Sequence, residues 1–501
     1  MFKISILGSL FLMVFQVSAQ VLPLEGSRLN YRLVGFSINE QPKQQSYKIE
    51  LAKGYFNDTV AFAKEITRVY DCTGRENVLE VPSFGVQYTW RFVYPDSKPA
   101  RKSKLYHFST MTNEHVDTTK LRLRVTKPAS TVCRDYFVSI DAGGVLYDMK
   151  GAPVWFIPDT NGIGGIMGDL QFTSRPSMTF IRNTDAYEIG FDGSILWHAP
   201  THSYIADTNS EKYHHEFVRL SNGHYMILGI QMLMCKQYSV KDSNYIVTSN
   251  DRSLAGDYKP CRFGTLIEYD EKGKVIWSWK SSDHILNSDF AYYKGEADTN
   301  LRFDPHENAF YFDDQHKIVY LGFRNLDRIV KIDYPSGQVL GFYGENFKPG
   351  MLSQGRGYFC NQHNISRTHD GLLYYFNNNS CKLTDSLPSI ILLKEPGAGD
   401  DSFKKVWEYT CTAEDAKIKK FASGGNVIEL PDYSFFVCMG SEYSKMFIVN
   451  RDKEILWTAL PEKHHQTERD FRANRQYRAN IITRKYLEQL IWSAEKRSIT
   501  K

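Results

Sequence analysis

Polar and apolar residues alternate along much of this chain with the period of two that a half-buried strand requires. Near the N-terminus the alternation is seen, at least in part, in residues 77–81, 86–94 and 121–125. A turn at Pro95-Asp96-Ser97 follows the second of these. From Tyr136 onward a longer unit recurs. It ends in a hairpin whose turn carries Gly or charge, followed by an apolar strand that often contains Trp. The instances are residues 147–155, 191–197, 269–277, 332–340, 403–407 and 449–457. Another hairpin precedes most of them, at 217–228, 309–321, 365–376 and 427–437. Two hairpins make four strands, which is one propeller blade. The pattern predicts an all-β chain, with a six-bladed β-propeller over residues 128–463 and an N-terminal β-sandwich domain over 20–127. Beyond His464 the character changes. Tyr486, Leu487, Leu490 and Ile491 fit one face of a short helix, so residues 464–501 are expected to be a C-terminal tail that caps the domain.

The 501 residues suffice for one large repeat domain plus a smaller one. An aromatic content of 14% favours strands over helices. A net charge of +4 without a Lys/Arg stripe argues against a nucleic-acid partner. Residues 1–19 read as a signal peptide: Lys3, an apolar run over 4–15, then Val17-Ser18-Ala19. The run is short for a membrane span and no later run is long enough, so the mature chain is expected to be exported, periplasmic or secreted. All 8 cysteines lie beyond it, and pairing of neighbours is expected: Cys72–Cys133, Cys235–Cys261, Cys360–Cys381 and Cys411–Cys438. Asn57, Asn364 and Asn378 open glycosylation triplets. No P-loop, G-x-S-x-G elbow or H-E-x-x-H motif occurs, and no cofactor is expected. A homodimer is among the assemblies the sequence leaves open.

Three histidines stand just before strand-like runs that end in short turns. His215 precedes a turn at Asn222-Gly223, His306 one near Asp314-Gln315, and His363 one at Asp370-Gly371. A lone histidine so placed is ordinarily structural. Three at the same phase of a repeat are brought to one mouth by a propeller, because the innermost strand of each blade lines the central channel. Alternation puts Asn308 on the His306 side of its strand and Glu307 on the other. Arg324 lies in the neighbouring strand. The unit that opens at Gly424-Gly425-Asn426 has no histidine there. Three imidazoles, an amide and a guanidinium, with no evident carboxylate, form a cationic, donor-rich pocket suited to a sulfuryl or phosphoryl group. Three histidines also suit zinc, but Arg324 disfavours a dication nearby, and no metal is expected.

At these residues the chain resembles the bacterial arylsulfate sulfotransferases. His215 ahead of Leu220-Ser-Asn-Gly-His224, the His306-x-Asn308 pair, Arg324 and Gln362-His363 match in order and phase, and Val406-Trp-Glu-Tyr409 also fits. The resemblance implies a six-bladed propeller with an N-terminal β-domain. It implies ping-pong transfer of a sulfuryl group from an aryl sulfate to a phenol, with His363 as the nucleophile that becomes a sulfohistidine. His215, His306, Asn308 and Arg324 match residues that hold the sulfuryl group. The chain departs from the family pattern in its doubled histidine at His214, in Phe376-Asn-Asn-Asn-Ser where an Asp-Asn-Gly turn is usual, and in its many cysteines. An aryl sulfate hydrolase and a non-catalytic ligand-binding propeller are the two other functions these residues allow.

Overall fold

The computed structural model describes residues 21–38, 46–94, 99–141, 143–159, 168–202, 205–206, 210–236, 244–293, 301, 303–348, 350, 353–381, 387–397, 403–412, 423–440, 445–464 and 471–500. The expected signal peptide (1–19), the turn at Pro95-Asp96-Ser97 and His465 lie outside them. The chain divides into two compact units, residues 1–111 with 495–501, and residues 112–494.

The smaller unit contains a six-stranded sheet and a two-stranded sheet. The strand Leu33–Ser37 of the small sheet is buried throughout. Its Phe36 sits edge-on against Trp90 of the large sheet, with ring centroids 4.8 Å apart, and also meets Phe108. This aromatic contact is the centre of that unit's core.

The larger unit contains six sheets among the described residues, antiparallel except where Ser353–Gln354 runs parallel to Val339–Gly344. Five begin with an inner strand followed in chain order by its partners: β1 (Gly168–Phe172), β2 (Tyr213–Arg219), β3 (Glu307–Asp313), β4 (His363–Arg367) and β5 (Asn426–Glu429). The sixth is assembled from both ends of the unit: β6 (Ala479–Thr483) pairs with Tyr136–Ile140, Ile140 opposite Ala479. The six inner strands touch in a closed ring, β6 to β1 through to β5 and back to β6.

The recurring Trp of the sequence pattern has a physical role in this ring. It lies on the fourth strand out from the ring and donates its indole N–H to a carbonyl in the outer turn of the next sheet. Trp155 donates to Phe191 O (2.7 Å), Trp277 to Pro335 O (2.8 Å), Trp407 to Arg451 O (2.9 Å) and Trp457 to Met149 O (3.0 Å). The last of these closes the circle from the fifth sheet to the sixth. Trp197 instead stacks on Tyr225 of the following sheet at 3.9 Å. The four donating side chains thereby bury apolar area and satisfy their one donor.

Three expectations need correction. Leu121–Lys127, read as part of the N-terminal domain, pairs with Ile455–His464 of the larger unit. The alternation of Leu121 and Leu123 is the same in either place, so pattern alone does not choose the partner. The tail after His464 is more than a cap, because it supplies β6 before the helix Arg484–Thr500, which at 17 residues is not short. Of the four disulfides only Cys360–Cys381 forms, and Cys72, Cys133, Cys235, Cys261, Cys411 and Cys438 are buried thiols. Strand alternation accounts for one failure. Cys411 packs in a cluster with Phe435, Val437 and Met439, and Cys438 lies on the opposite face of that strand. Cys72 and Cys133 fall in different units. Cys235 and Cys261 are diagonal neighbours on paired strands, opposite Lys259 and Leu233, and their thiols interact without forming a bridge. Asn378 is fully buried and Asn364 accepts a hydrogen bond from Val427 N, so only Asn57 of the glycosylation triplets is exposed. No helix among the described residues is long and apolar enough to cross a membrane.

The disulfide closes a loop over a sequence separation of 21. Cys360→Ser/Cys381→Ser is expected to lose about 3 kcal/mol of unfolding free energy in urea titration, and a non-reducing peptide map should find this bridge alone.

Candidate functional site

The inner strands enter the ring through kinks. Asp169, His215, His306 and Asn364 have φ of 56°, 60°, 57° and 52°, and the pairing register slips beside each. Non-glycine residues hold this left-handed conformation only where the surroundings enforce it. The kinks bring the three predicted histidines together. The His215 and His306 rings are 5.0 Å apart between centroids. Tyr477 bridges the other side, 5.7 Å from His215 and 6.1 Å from His363. The equivalence expected from the repeat is not strict. Counted back from the first paired residue past each bulge (Phe217, Ala309, Ile365), His215 and His363 stand two residues before it and His306 three. The left-handed backbone at His306 itself accompanies this offset.

His363 is 1% exposed. Its Nδ1 lies 2.6 Å from Asn378 Oδ1, whose amide nitrogen donates to Gly424 O at 3.0 Å. The orientation of that amide makes its oxygen an acceptor toward the ring, so Nδ1 carries the ring proton and Nε2 carries the lone pair. The Gly424 amide approaches Nε2 at 3.3 Å, which is long for a hydrogen bond. Gly424 has φ +69°, and a Cβ there would meet Tyr477 O at 2.5 Å, so glycine is what allows this approach. Burial, then the Arg324 guanidinium, hold the His363 pKa well below the ordinary histidine range, so the ring is neutral. Its backbone is clamped from several directions: Cys360 N donates to Asn377 Oδ1, Asn361 N to Asp327 Oδ1, and the Gln362 amide to Phe323 O and Arg328 O.

Arg324 opens a short turn directly after the strand Ile318–Phe323, and its backbone N–H donates to His306 O at 3.1 Å. One guanidinium nitrogen donates to Asn325 Oδ1 at 2.8 Å. Asn308 is fully buried and donates one amide hydrogen to Gln362 O at 2.8 Å, tying β3 to β4. The site also contains a carboxylate, contrary to expectation. Asp304 Oδ2 is 3.5 Å from His306 Nδ1, pairs with Arg262, and Asp304 Oδ1 accepts from His306 N at 2.9 Å. Its hydrogen bond with His306 and the charge of Arg262 hold it below the usual carboxylate range despite burial, which acts the other way.

Beneath the histidines lies a second charged layer. Arg478, 1% exposed, donates to Asp169, to Glu216 Oε2 (3.0 Å) and to Asn308 O (3.0 Å), and its guanidinium stands 5.4 Å from the Tyr477 ring centroid. Burial pushes the Glu216 carboxyl up to about 7 and that of nearby Asp141 to about 8. Arg478 also lines a cavity of about 350 Å³ reached by residues of all six inner strands. No group of three or more His, Cys, Asp or Glu among the described residues is arranged to hold a metal ion.

The family model of the arylsulfotransferases (ASST) matches residues 110–446. The chain belongs to that family. No curated protein matches it. Among solved structures, a protein of unknown function from Bacteroides caccae is 12% identical, covering 70% of this chain and 99% of its own, with a TM-score of 0.39. A periplasmic gluconolactonase of Pseudomonas aeruginosa is 8% identical, covering 88% of this chain and 99% of its own, with a TM-score of 0.29.

Within this arylsulfotransferase, all five residues singled out in the sequence lie in or beside one histidine cluster. Tyr477, Asn378, Asp304 and His214 were missed as members of it. Tyr477 and Asn378 sit in segments without periodicity, and the visible signals were the doubling at His214 and the Asn run at residues 377–379. Asn378→Leu keeps the size of the side chain and removes the acceptor on His363 Nδ1. It is expected to lower turnover of an aryl sulfate by about 10-fold or more with an unchanged circular dichroism spectrum.

Proposed function

We propose that this member of the arylsulfotransferase family is an exported enzyme that moves a sulfuryl group from an aryl sulfate to a phenol through a covalent intermediate on His363, and that its six sheets are the blades of one propeller. The observation that carries the reading is the state of His363: buried, neutral, its Nδ1 proton committed to Asn378 and its Nε2 lone pair met only by the long 3.3 Å approach of the Gly424 amide. An activated nucleophile of this kind splits one difficult transfer into two easier ones.

In the first step Nε2 attacks sulfur, the S–O bond to the aryl group breaks, and the electron pair leaves on the aryl oxygen, which takes a proton from His306. In the second step the acceptor phenol attacks the same sulfur and the N–S bond pair returns to His363. By analogy with phosphoryl transfer the transition state is loose, so positioning and charge stabilisation do most of the work. Arg324 supplies a planar fork for the equatorial oxygens. Asn308, with one amide hydrogen spent on Gln362 O, has one left for a sulfuryl oxygen.

Incubation with a chromogenic aryl sulfate alone should release one aryl alcohol per site in a burst, and the intact mass should rise by one sulfuryl group on the peptide that contains His363. His363→Asn should lose both signals. No adduct on rapid quench, with transfer persisting in His363→Asn, would overturn the covalent route, and sustained release without acceptor would make the protein a hydrolase.

Arg324→Lys keeps the charge and loses the fork, and turnover is expected to fall at least about 10-fold with the fold intact. The pH dependence has a definite sign. A lowered pKa keeps the nucleophile neutral at lower pH, so the burst with a nitrophenyl sulfate should stay level as pH falls through the ordinary histidine value of about 6.5. Arg324→Met removes part of the lowering, so its burst should begin to fall at a higher pH than that of the wild type.

A further inference from the structure

His214 and His215 form a chain of hydrogen bonds from which the places of their protons follow. Nε2 of His214 lies 3.1 Å from Gly229 O, in the strand Tyr225–Lys236 paired with β2. A carbonyl only accepts, so that nitrogen carries a proton. Burial brings the His214 pKa down to about 3, with the charges of His306 and Arg262 adding to the effect and Gly229 O and Asp304 opposing it. The ring is therefore neutral and has one proton, already on Nε2. Its Nδ1 is bare. That atom lies 2.5 Å from His215 Nδ1. His215 must donate to it, so the His215 proton sits on Nδ1. His215 is itself held well below the usual range, by burial first and then by His214, His306, His363 and Arg478. Its Nε2 is consequently a bare lone pair, on a ring packed between His306 and Tyr477.

A bare lone pair repels a sulfuryl oxygen and cannot donate to it. It is suited to receive a proton from a neutral hydroxyl. We infer that His214 is a positioning residue that fixes the tautomer of His215, and that His215 Nε2 is the base which takes the proton of the acceptor phenol in the second half-reaction. This deepens the sulfotransferase reading and rests on it. The step balances: the phenol O–H bond breaks and its proton passes to His215 Nε2, the phenol oxygen bonds to sulfur, and the N–S bond pair returns to His363 Nε2. The resulting His215 imidazolium keeps its Nδ1–H donated to His214 and gives up the new proton, by way of solvent, to neighbouring His306, which lost one to the departing aryl oxygen in the first half-reaction, so the enzyme is restored.

Single-turnover experiments separate the two halves. The enzyme is loaded with 4-nitrophenyl sulfate, freed of donor, and mixed with either unsubstituted phenol or a nitrophenol that is already largely ionised at the assay pH. His214→Leu removes the acceptor for His215 Nδ1–H. His214→Asn restores one, because an Asn oxygen occupies nearly the position of the histidine Nδ1. In His214→Leu the loading burst should survive, discharge to phenol should slow by about 10²-fold and discharge to the nitrophenol should change little. His214→Asn should recover discharge to phenol. Equal slowing with both acceptors, or no slowing with either, overturns the proposal. A tautomer measurement stands apart from activity. The ¹⁵N shifts of His215 in the substrate-free protein should show Nδ1 protonated and Nε2 unprotonated, and the reverse pattern overturns the proposal. Failure of the wild type to load at all counts against the covalent sulfotransferase reading and leaves the tautomer result to decide the role of His214.

Discussion

The buried guanidinium of Arg478 is the contact on which the site's geometry depends. It leads into β6, the strand that closes the ring, and reaches Asp169 of β1, Glu216 of β2 and the Asn308 carbonyl of β3. One side chain thus ties the last inner strand to the first three, directly below the histidines. A buried ion pair is not in itself a large source of stability, because desolvation offsets the attraction. Breaking one is costly, about 3–5 kcal/mol, because a charge is stranded. Three acidic side chains, Asp141, Asp169 and Glu216, crowd one cation here, and burial raises all three. Asp141 rises from 3.8 to about 8 and Glu216 from 4.5 to about 7. The folded chain therefore binds protons that the unfolded chain has released, and the contribution of these two groups to stability falls as pH rises from about 4 to about 8.

The repeat was legible because its strands alternate and its turns carry Gly or charge, and each outer-strand Trp was visible before its bond to the next sheet was known. The closing strand was not. Ala479–Thr483 is five residues long, and its partner begins at Tyr136, so nothing local announces the pairing. His215, His306 and His363 could be grouped from sequence because they open equivalent runs. Their roles could not be told apart, because the differences lie in what each Nδ1 touches. Those partners, Asn378, His214 and Asp304, lie 15, 1 and 2 residues away in sequence, at spacings no periodicity links. The cysteine pairing was illegible for a plainer reason. Proximity in sequence does not tell which face of a strand a side chain takes.

The departures from the family pattern gain meaning in this geometry. The Asn377-Asn378-Asn379 run stands where an acidic turn was expected, and each amide has separate work. Asn377 accepts from Cys360 N, Asn378 accepts from His363, and Asn379, at φ +57°, donates to Leu387 O. The run thereby joins the disulfide, His363 and the next strand. His214 likewise is no idle duplication, since it occupies the one place from which the His215 proton can be fixed.

A common rule covers all three rings. A carboxylate beside Nδ1 fixes a tautomer and also adds charge, which favours imidazolium. An amide or a neutral imidazole fixes the tautomer and adds none. His363 and His215 have the neutral kind of partner, and both are held well below the ordinary histidine range with Nε2 bare. His306 has no such neutral partner, because its Nδ1 lies 3.5 Å from both Asp304 Oδ2 and the Arg262 guanidinium. In the proposed transfer one lone pair bonds sulfur, the other accepts the incoming hydroxyl proton, and His306 supplies a proton to the departing oxygen. In this reading the partner of Nδ1, and not the histidine alone, sets where each ring proton lies. For the same reason a family motif that records only the histidines leaves the direction of each proton undetermined.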